Sequence, residues 1–457
     1  MVVFSLNTAA NRVKSFFSKG ETRTLAVKKN ILGSFVYKGL SLLISLLLVP
    51  LTLGYVSSEL YGIWLTLASI VGWMGILDIG FSQGLKNKLT EAIALENWDR
   101  GKELVSTTYF VMTAIFIPVG IIMEMIVPFI DWSSFLKISE EYNAEVCLSM
   151  QLLVVIFSLH MIVGVLSAIV SAFQRVSLTG LFNVIGHFLA LVAIYIMTKS
   201  LRPSLPGLAL AYSGLPILVL LVASIILFNG KFKRVAPNLR KIRKKHVEDI
   251  FNLGYKFFII HLQMLVMFQT TNILISRIAG PESVTSYNIA YKYISISLML
   301  FNIVMSPLWP AYTDAFTKMD YRWMKNIYGK MRKLTICVLL MIVVMLLVSP
   351  LVYKIWIGEM VIIPYNMTAV VALYTMLMCW NSLQTQLING SGKIQLQLYL
   401  TLMGLVLQIP LALFLGNLVG AEGVIISQII IISVYAIFLT IQSGKLLNNE
   451  AVGIWGS

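Results

Sequence analysis

Long apolar stretches alternate with short polar breaks along the whole chain, on a single length scale. Apolar runs fall at roughly 31–54, 60–82, 104–130, 146–172, 178–198 and 207–229. A second set falls at roughly 251–278, 284–312, 334–356, 362–388, 394–416 and 423–443. A helix rises about 1.5 Å per residue, so about twenty apolar residues cross about 30 Å of hydrocarbon. The pattern predicts an all-α polytopic membrane protein with twelve transmembrane helices. It excludes a β-barrel, whose strands would read as short alternating segments.

Composition strengthens this reading. Of the 457 residues, 58% are hydrophobic and only 12% charged, with mean hydropathy +0.84. A soluble domain carries about 25% charged residues. A cytosolic enzyme, a disordered chain and a nucleic-acid-binding module are thereby excluded. Cys147, Cys337 and Cys379 lie in apolar stretches without metal or disulfide spacing. Residues 1–29 are polar and basic, with no apolar core of a cleavable signal, so the first span is expected to direct its own insertion.

Charge orients the spans. With the amino terminus inside, cytoplasmic segments hold 27 of the 35 Lys and Arg. Asp131, Glu140, Glu141 and Glu145 cluster on the other side. Basic residues favour the cytoplasmic face, so both termini are expected in the cytoplasm of a bacterial inner membrane. The net charge of +15 follows from topology and calls for no nucleic acid.

The densest basic run, Lys231 to Lys245, sits at the midpoint. It divides the chain into a basic amino-terminal segment at 1–29, a six-helix bundle at 30–229, a linker at 230–249, a second six-helix bundle at 250–445 and a tail at 446–457. Weak internal matches recur in order. Leu32-Gly33 pairs with Leu253-Gly254, Tyr61-Gly62-Ile63 with Tyr287-Asn288-Ile289, and Thr90-Glu91-Ala92 with Thr313-Asp314-Ala315. Gly207-Leu208-Ala209 pairs with Gly423-Val424-Ile425. Six spans per half implies a parallel pseudo-two-fold repeat, with a binding site expected where the repeats meet.

The stretch from Leu60-Tyr61-Gly62-Ile63-Trp64 through Gly72-Trp73 to Asp78-Ile79-Gly80-Phe81 carries a resemblance. It continues through Gly84-Leu85-Lys86-Asn87, Leu89-Thr90-Glu91-Ala92 and Val105-Ser106-Thr107. It resembles the second-helix signature of Wzx-type polysaccharide (O-antigen) flippases of the multidrug/oligosaccharidyl-lipid/polysaccharide exporter superfamily. The resemblance implies two bundles with helices 1, 2, 7 and 8 lining a cavity. It also implies a polyprenyl-diphosphate-linked oligosaccharide moved from the inner to the outer leaflet, with membrane lipids and polysaccharide assembly proteins as further partners. No cofactor, metal or catalytic residue is implied. Asp78, from the Asp-x-Gly of the motif, is expected to brace the turn after helix 2, near Lys86 or Lys88.

Intramembrane charges are the candidate chemistry. A lysine at the centre of a span costs about 2.5–3.5 kcal/mol. Lys38 and Lys292 each lie about 12 Å into helices 1 and 8. Lys256 is shallower, and Arg277 ends helix 7. Acids at such depths are scarce, so a diphosphate ligand would supply the missing counter-charge. Helix 7 adds a polar stripe of His261, Gln269, Asn272 and Ser276. Helix 8 adds Tyr291 as a sugar platform and Tyr287 as an interfacial anchor. Snorkelling lysines and helix–helix hydrogen bonds are the simpler alternatives.

Two rival functions remain. A cation-coupled multidrug exporter of the same superfamily would need an acid in helix 1 or 7, where this chain has Lys38, Lys256 and His261. A membrane-embedded polymerase or ligase would need catalytic groups on an outer loop. The longest such loop, about 131–145, is short. The sequence names neither a coupling ion nor the sugars.

Overall fold

The computed structural model describes residues 22–78, 80–173, 175–305 and 308–456, and these contain helices, turns and no strand. In chain order the helices are α1 (Thr22–Tyr55), α2 (Ser58–Gly72), α3 (Phe81–Ala94), α4 (Trp98–Ile126), α5 (Trp132–Leu136) and α6 (Asn143–Val163). Then come α7 (Val165–Ala172), α8 (Val176–Ser200), α9 (Leu205–Ala209), α10 (Leu215–Asn229), α11 (Lys244–Ala279) and α12 (Pro281–Met305). The last five are α13 (Leu308–Thr317), α14 (Tyr321–Trp356), α15 (Tyr365–Ser391), α16 (Gln395–Val419) and α17 (Ala421–Leu447).

Nine helical stretches among the described residues are long and apolar enough to cross a membrane. Of the other predicted spans, those at 60–82 and 362–388 fall on α2 and α15, which are short or carry more polar residues, and that at 251–278 falls on α11, whose side chains lie partly outside the described residues. Lipid as solvent explains the outward faces. On α14, Leu340, Val344, Leu347, Leu351 and Ile355 form an exposed apolar stripe at helical spacing. The chain is a multi-pass membrane protein.

The predicted span at 60–82 is not one helix. α2 stops at Gly72, a 3₁₀ turn covers Trp73–Asp78, and Gly80 adopts φ 79° before α3 begins. That left-handed conformation favours glycine and ends the α-helical path. The predicted span at 284–312 is covered by α12 and the short α13.

The chain forms two compact units. The first comprises residues 1–55, 77–129 and 148–258; the second comprises 56–76, 130–147 and 259–457. In the first unit α1 packs on α8, where Gly180 admits Tyr37 and the Tyr55 hydroxyl donates to the carbonyl of Arg202 at 3.0 Å.

The basic segment expected as a linker is packed against α4 within this unit. The Asn238 N–H donates to Ser106 Oγ at 2.9 Å and the Arg243 N–H to Thr107 Oγ1 at 3.0 Å. Lys241 pairs with Asp99 at 3.0 Å, and Arg243 and His246 meet Glu103 at 3.5 and 3.1 Å. Phe232 and Val235 are buried. Apolar anchoring fixes the segment, since exposed ion pairs contribute at most about 1 kcal/mol each.

In the second unit α12 lies between α2 and α15, and α15 and α16 both pack on α17. Asp320 caps α14 by accepting from the Trp323 N–H at 3.0 Å. The carboxyl-terminal tail folds back: Gln442 Nε2 donates to the Trp455 carbonyl at 3.1 Å, and the Lys445 ammonium sits over the Trp455 ring.

Candidate functional site

The candidate site of the second unit begins with a close helix crossing. A Cβ on Gly62 would stand 1.8 Å from the carbonyl oxygen of Pro281, so only glycine lets α2 meet the start of α12. The Thr285 hydroxyl seals the contact by donating to the Ser58 carbonyl at 2.6 Å. Ten residues on, a Cβ on Gly72 would meet the Gln269 side chain at 2.6 Å, which brings α11 against α2.

Polar side chains bridge this seam. Asn272 Nδ2 on α11 donates to Ser69 Oγ on α2 at 2.9 Å. Asn288 Nδ2 on α12 donates to Asn272 Oδ1 at 2.9 Å and to its own helix at the Val284 carbonyl. Both polar ends of Asn272 are therefore engaged in helix–helix bonding. Gln269 is half-buried against Gly72.

Lys292 lies eleven residues into α12, about 17 Å along its axis. Its ammonium is 3.4 Å from the hydroxyl of buried Tyr61, and among the described residues no carboxylate lies within ion-pair distance. An interhelical polar contact in a membrane stabilises by about 0.6–2 kcal/mol. That does not offset the roughly 2.5–3.5 kcal/mol cost of a central lysine. Stability alone does not account for the residue.

Aromatic rings line the next part of α12. Tyr287 and Tyr291 lie 5.9 Å apart, Tyr291 and Tyr374 of α15 6.5 Å apart, and Phe268 of α11 meets Tyr291 edge-on at 6.3 Å. Tyr287 is buried, not an interfacial anchor as expected, because the ring is stacked into this ladder. Tyr291 stays half-buried.

The other expected residues are dispersed. Lys38 belongs to the first unit and is exposed. It lies about 200° around α1 from Val36, away from the exposed apolar stripe of Val36, Leu40, Leu43 and Leu47. Lys256 and His261 lie in α11, and their side chains fall outside the described residues. Arg277 stands in the last turn of α11 with its guanidinium over the Phe135 ring at 5.3 Å. Asp78 caps the turn: its Oδ1 accepts from the Ser82 N–H and Oγ at 3.3 and 3.0 Å. Lys88, one of its expected neighbours, pairs with Glu91 at 3.8 Å.

A family model for polysaccharide biosynthesis proteins matches residues 27–316. The chain belongs to that family. A curated protein of Salmonella typhimurium named "Putative O-antigen transporter" is 21% identical over 305 residues, covering 66% of this chain and 67% of that protein. The fold is that of solved multidrug resistance MATE family transporters of the MOP superfamily. An inward-facing example has TM-score 0.71 at 17% identity, covering 89% of this chain and 98% of its own. An outward-facing example has TM-score 0.64 at 16% identity, covering 95% and 98%. The chain is thus a polysaccharide biosynthesis family member with the fold of those transporters.

The polar face of α15 was not anticipated from sequence. Asn381, Ser382, Thr385 and Asn389 share one side of that helix and line a cavity of about 370 Å³ within the second unit. The signal was present as polar residues at spacings of three and four inside an apolar run.

Proposed function

We propose that this transporter moves a polyprenyl-diphosphate-linked oligosaccharide from the inner to the outer leaflet by alternating access. The observation that carries the reading is Lys292, a cation among neutral amides, hydroxyls and aromatic rings, with a tyrosine hydroxyl as its described polar neighbour. A diphosphate would supply the counter-charge, and the ring and amide surfaces suit a saccharide. Lys38, in the first unit, is proposed as a separate contact for anionic substrate, and Lys256 and His261 are proposed from the sequence alone as further substrate contacts. Arg277 closes the outer end of that helix. The polyprenyl tail stays in lipid while the head group crosses.

The reading includes both termini in the cytoplasm, twelve spans, and two six-helix repeats at 30–229 and 250–445. A cation-coupled drug exporter is disfavoured by charge. Residues 31–55 contain no acid, and from 251 to 305 the sole acid is Glu282, in the first turn of α12.

Deletion of the transporter in its host tests the proposal. Lipid-linked saccharide should accumulate in the cytoplasmic leaflet, protected from probes outside intact cells. Accumulation of single saccharide units on the outer face would point to a polymerase and overturn it.

A further inference from the structure

The cavity against α15 is separate from Lys292 but shares the aromatic ladder. Its wall includes Tyr374 and Phe268, the rings that meet Tyr291. The rest of the polar lining is Asn302, Asn381, Ser382, Thr385, Asn389 and Gln397, with hydroxyls of Thr401 and Tyr435. None of its lining residues is Asp, Glu, Lys, Arg or His.

The amides are held in place. Asn381 Nδ2 donates to the Ile432 carbonyl at 3.1 Å, which leaves its Oδ1 as the acceptor. Asn381 is 8% exposed, and its Oδ1 and Gln397 Oε1 are buried oxygens without a hydrogen-bond partner among the described residues. Neither oxygen has accessible surface, so the open polar face of the cavity is that of Asn302, Ser382, Thr385 and Asn389. Ser382 Oγ donates to Asn302 Oδ1 at 2.8 Å, presenting further polar atoms on the same side.

We propose that this cavity is a sugar-ring subsite, accepting an uncharged part of the saccharide by hydrogen bonds to its hydroxyls and by stacking on Phe268, whose ring is 38% exposed. The proposal deepens, and rests on, the lipid-linked saccharide reading. Sugar hydroxyls fit the accessible amides and hydroxyls of Asn302, Ser382, Thr385 and Asn389, and the C–H face of a ring fits an aromatic wall. A volume of about 370 Å³ lies at the small end of ligand sites, enough for a short piece of a glycan and not the whole. The absence of charge selects neutral rings, leaving anion recognition to the lysines.

The test uses the full-length transporter in nanodiscs and two probes. One is a set of short oligosaccharides released by partial hydrolysis from the host's own surface polysaccharide. The other is polyprenyl diphosphate without sugar. Calorimetry compares the parent protein with Asn389→Leu and Thr385→Val. The second variant keeps side-chain volume, and thermal midpoints check that both fold.

The expected result is that the parent binds the oligosaccharides, and that each variant weakens this about tenfold with polyprenyl diphosphate binding unchanged. Failure of the parent to bind oligosaccharide, or equal affinity in well-folded variants, overturns the subsite. Failure of polyprenyl diphosphate to bind the parent overturns the transport reading instead, and the oligosaccharide arm still decides the subsite.

Discussion

The ammonium of Lys292 stands 3.4 Å from the phenolic oxygen of Tyr61, joining a cation deep in α12 to the Tyr-Gly-Ile stretch of α2. Tyr61 is fully packed and stacks on Trp64 with ring centroids 5.7 Å apart. The hydroxyl therefore orients the lysine without neutralising it. Tyr61→Phe should retain the fold and lower export several-fold, whereas Lys292→Arg should keep part of it, because charge is preserved and reach altered. Export of surface polysaccharide at matched protein levels checks both.

Gly62 gives a sharper structural prediction. The atom a side chain would strike is the backbone oxygen of Pro281, which cannot rotate away. Gly62→Val should cost about 3 kcal/mol or more, at or beyond the upper end of overpacking penalties. A thermal-shift assay in detergent should show a markedly lower midpoint. Gly39→Ala, which meets nothing within 4 Å, should stay close to the parent.

Glu59, just ahead of the predicted span at 60–82, has its carboxyl pushed above the usual range by burial, with Glu282 and Glu141 adding to the effect. The folded protein thus holds this proton more tightly than the unfolded chain. Its contribution to stability is fully present below the unfolded value, about 4.3, and is lost as pH rises through the higher folded value. Glu59→Gln should remove that dependence and raise the thermal midpoint at neutral pH relative to the parent. A midpoint series from acid to neutral pH reads the sign directly.

The packed basic segment makes a fourth prediction. Ser106 and Thr107 receive the backbone N–H groups of Asn238 and Arg243. A double Ser106→Ala, Thr107→Val variant leaves both donors unmet, at about 1–3 kcal/mol each if they stay buried. Limited trypsin digestion should then cut faster within Lys241–Lys245. An unchanged cleavage rate would remove these hydroxyls from the account.

Membrane class and helical content were legible because lipid demands long apolar runs and internally paired backbone. Helix breaks were harder to see. Gly80 sits in a stretch as apolar as its neighbours, and only its positive φ reveals the turn. The resemblance motif proved largely architectural: Gly62 sets a crossing, Asp78 caps a turn, and Glu91 pairs with Arg100 at 3.0 Å. Ser106 and Thr107 hold the basic segment. Lys292 was legible from depth and charge alone. Its tyrosine partner was not, because residues 231 positions apart meet only in the fold. The amides of α15 were overlooked because hydropathy averaging hides four polar residues on one face of an apolar helix.

Translocation in proteoliposomes tests the central claim most directly. The parent protein and Lys292→Ala are reconstituted with a fluorescent polyprenyl-diphosphate-linked saccharide from the host, and its accessibility to an external quencher is followed over time. The account predicts that the parent equilibrates the lipid between leaflets. Equally abundant, well-folded Lys292→Ala should do so at least tenfold more slowly. Equal rates for the two proteins would contradict the role of Lys292, and no translocation above empty liposomes by the parent would contradict the proposed transport itself.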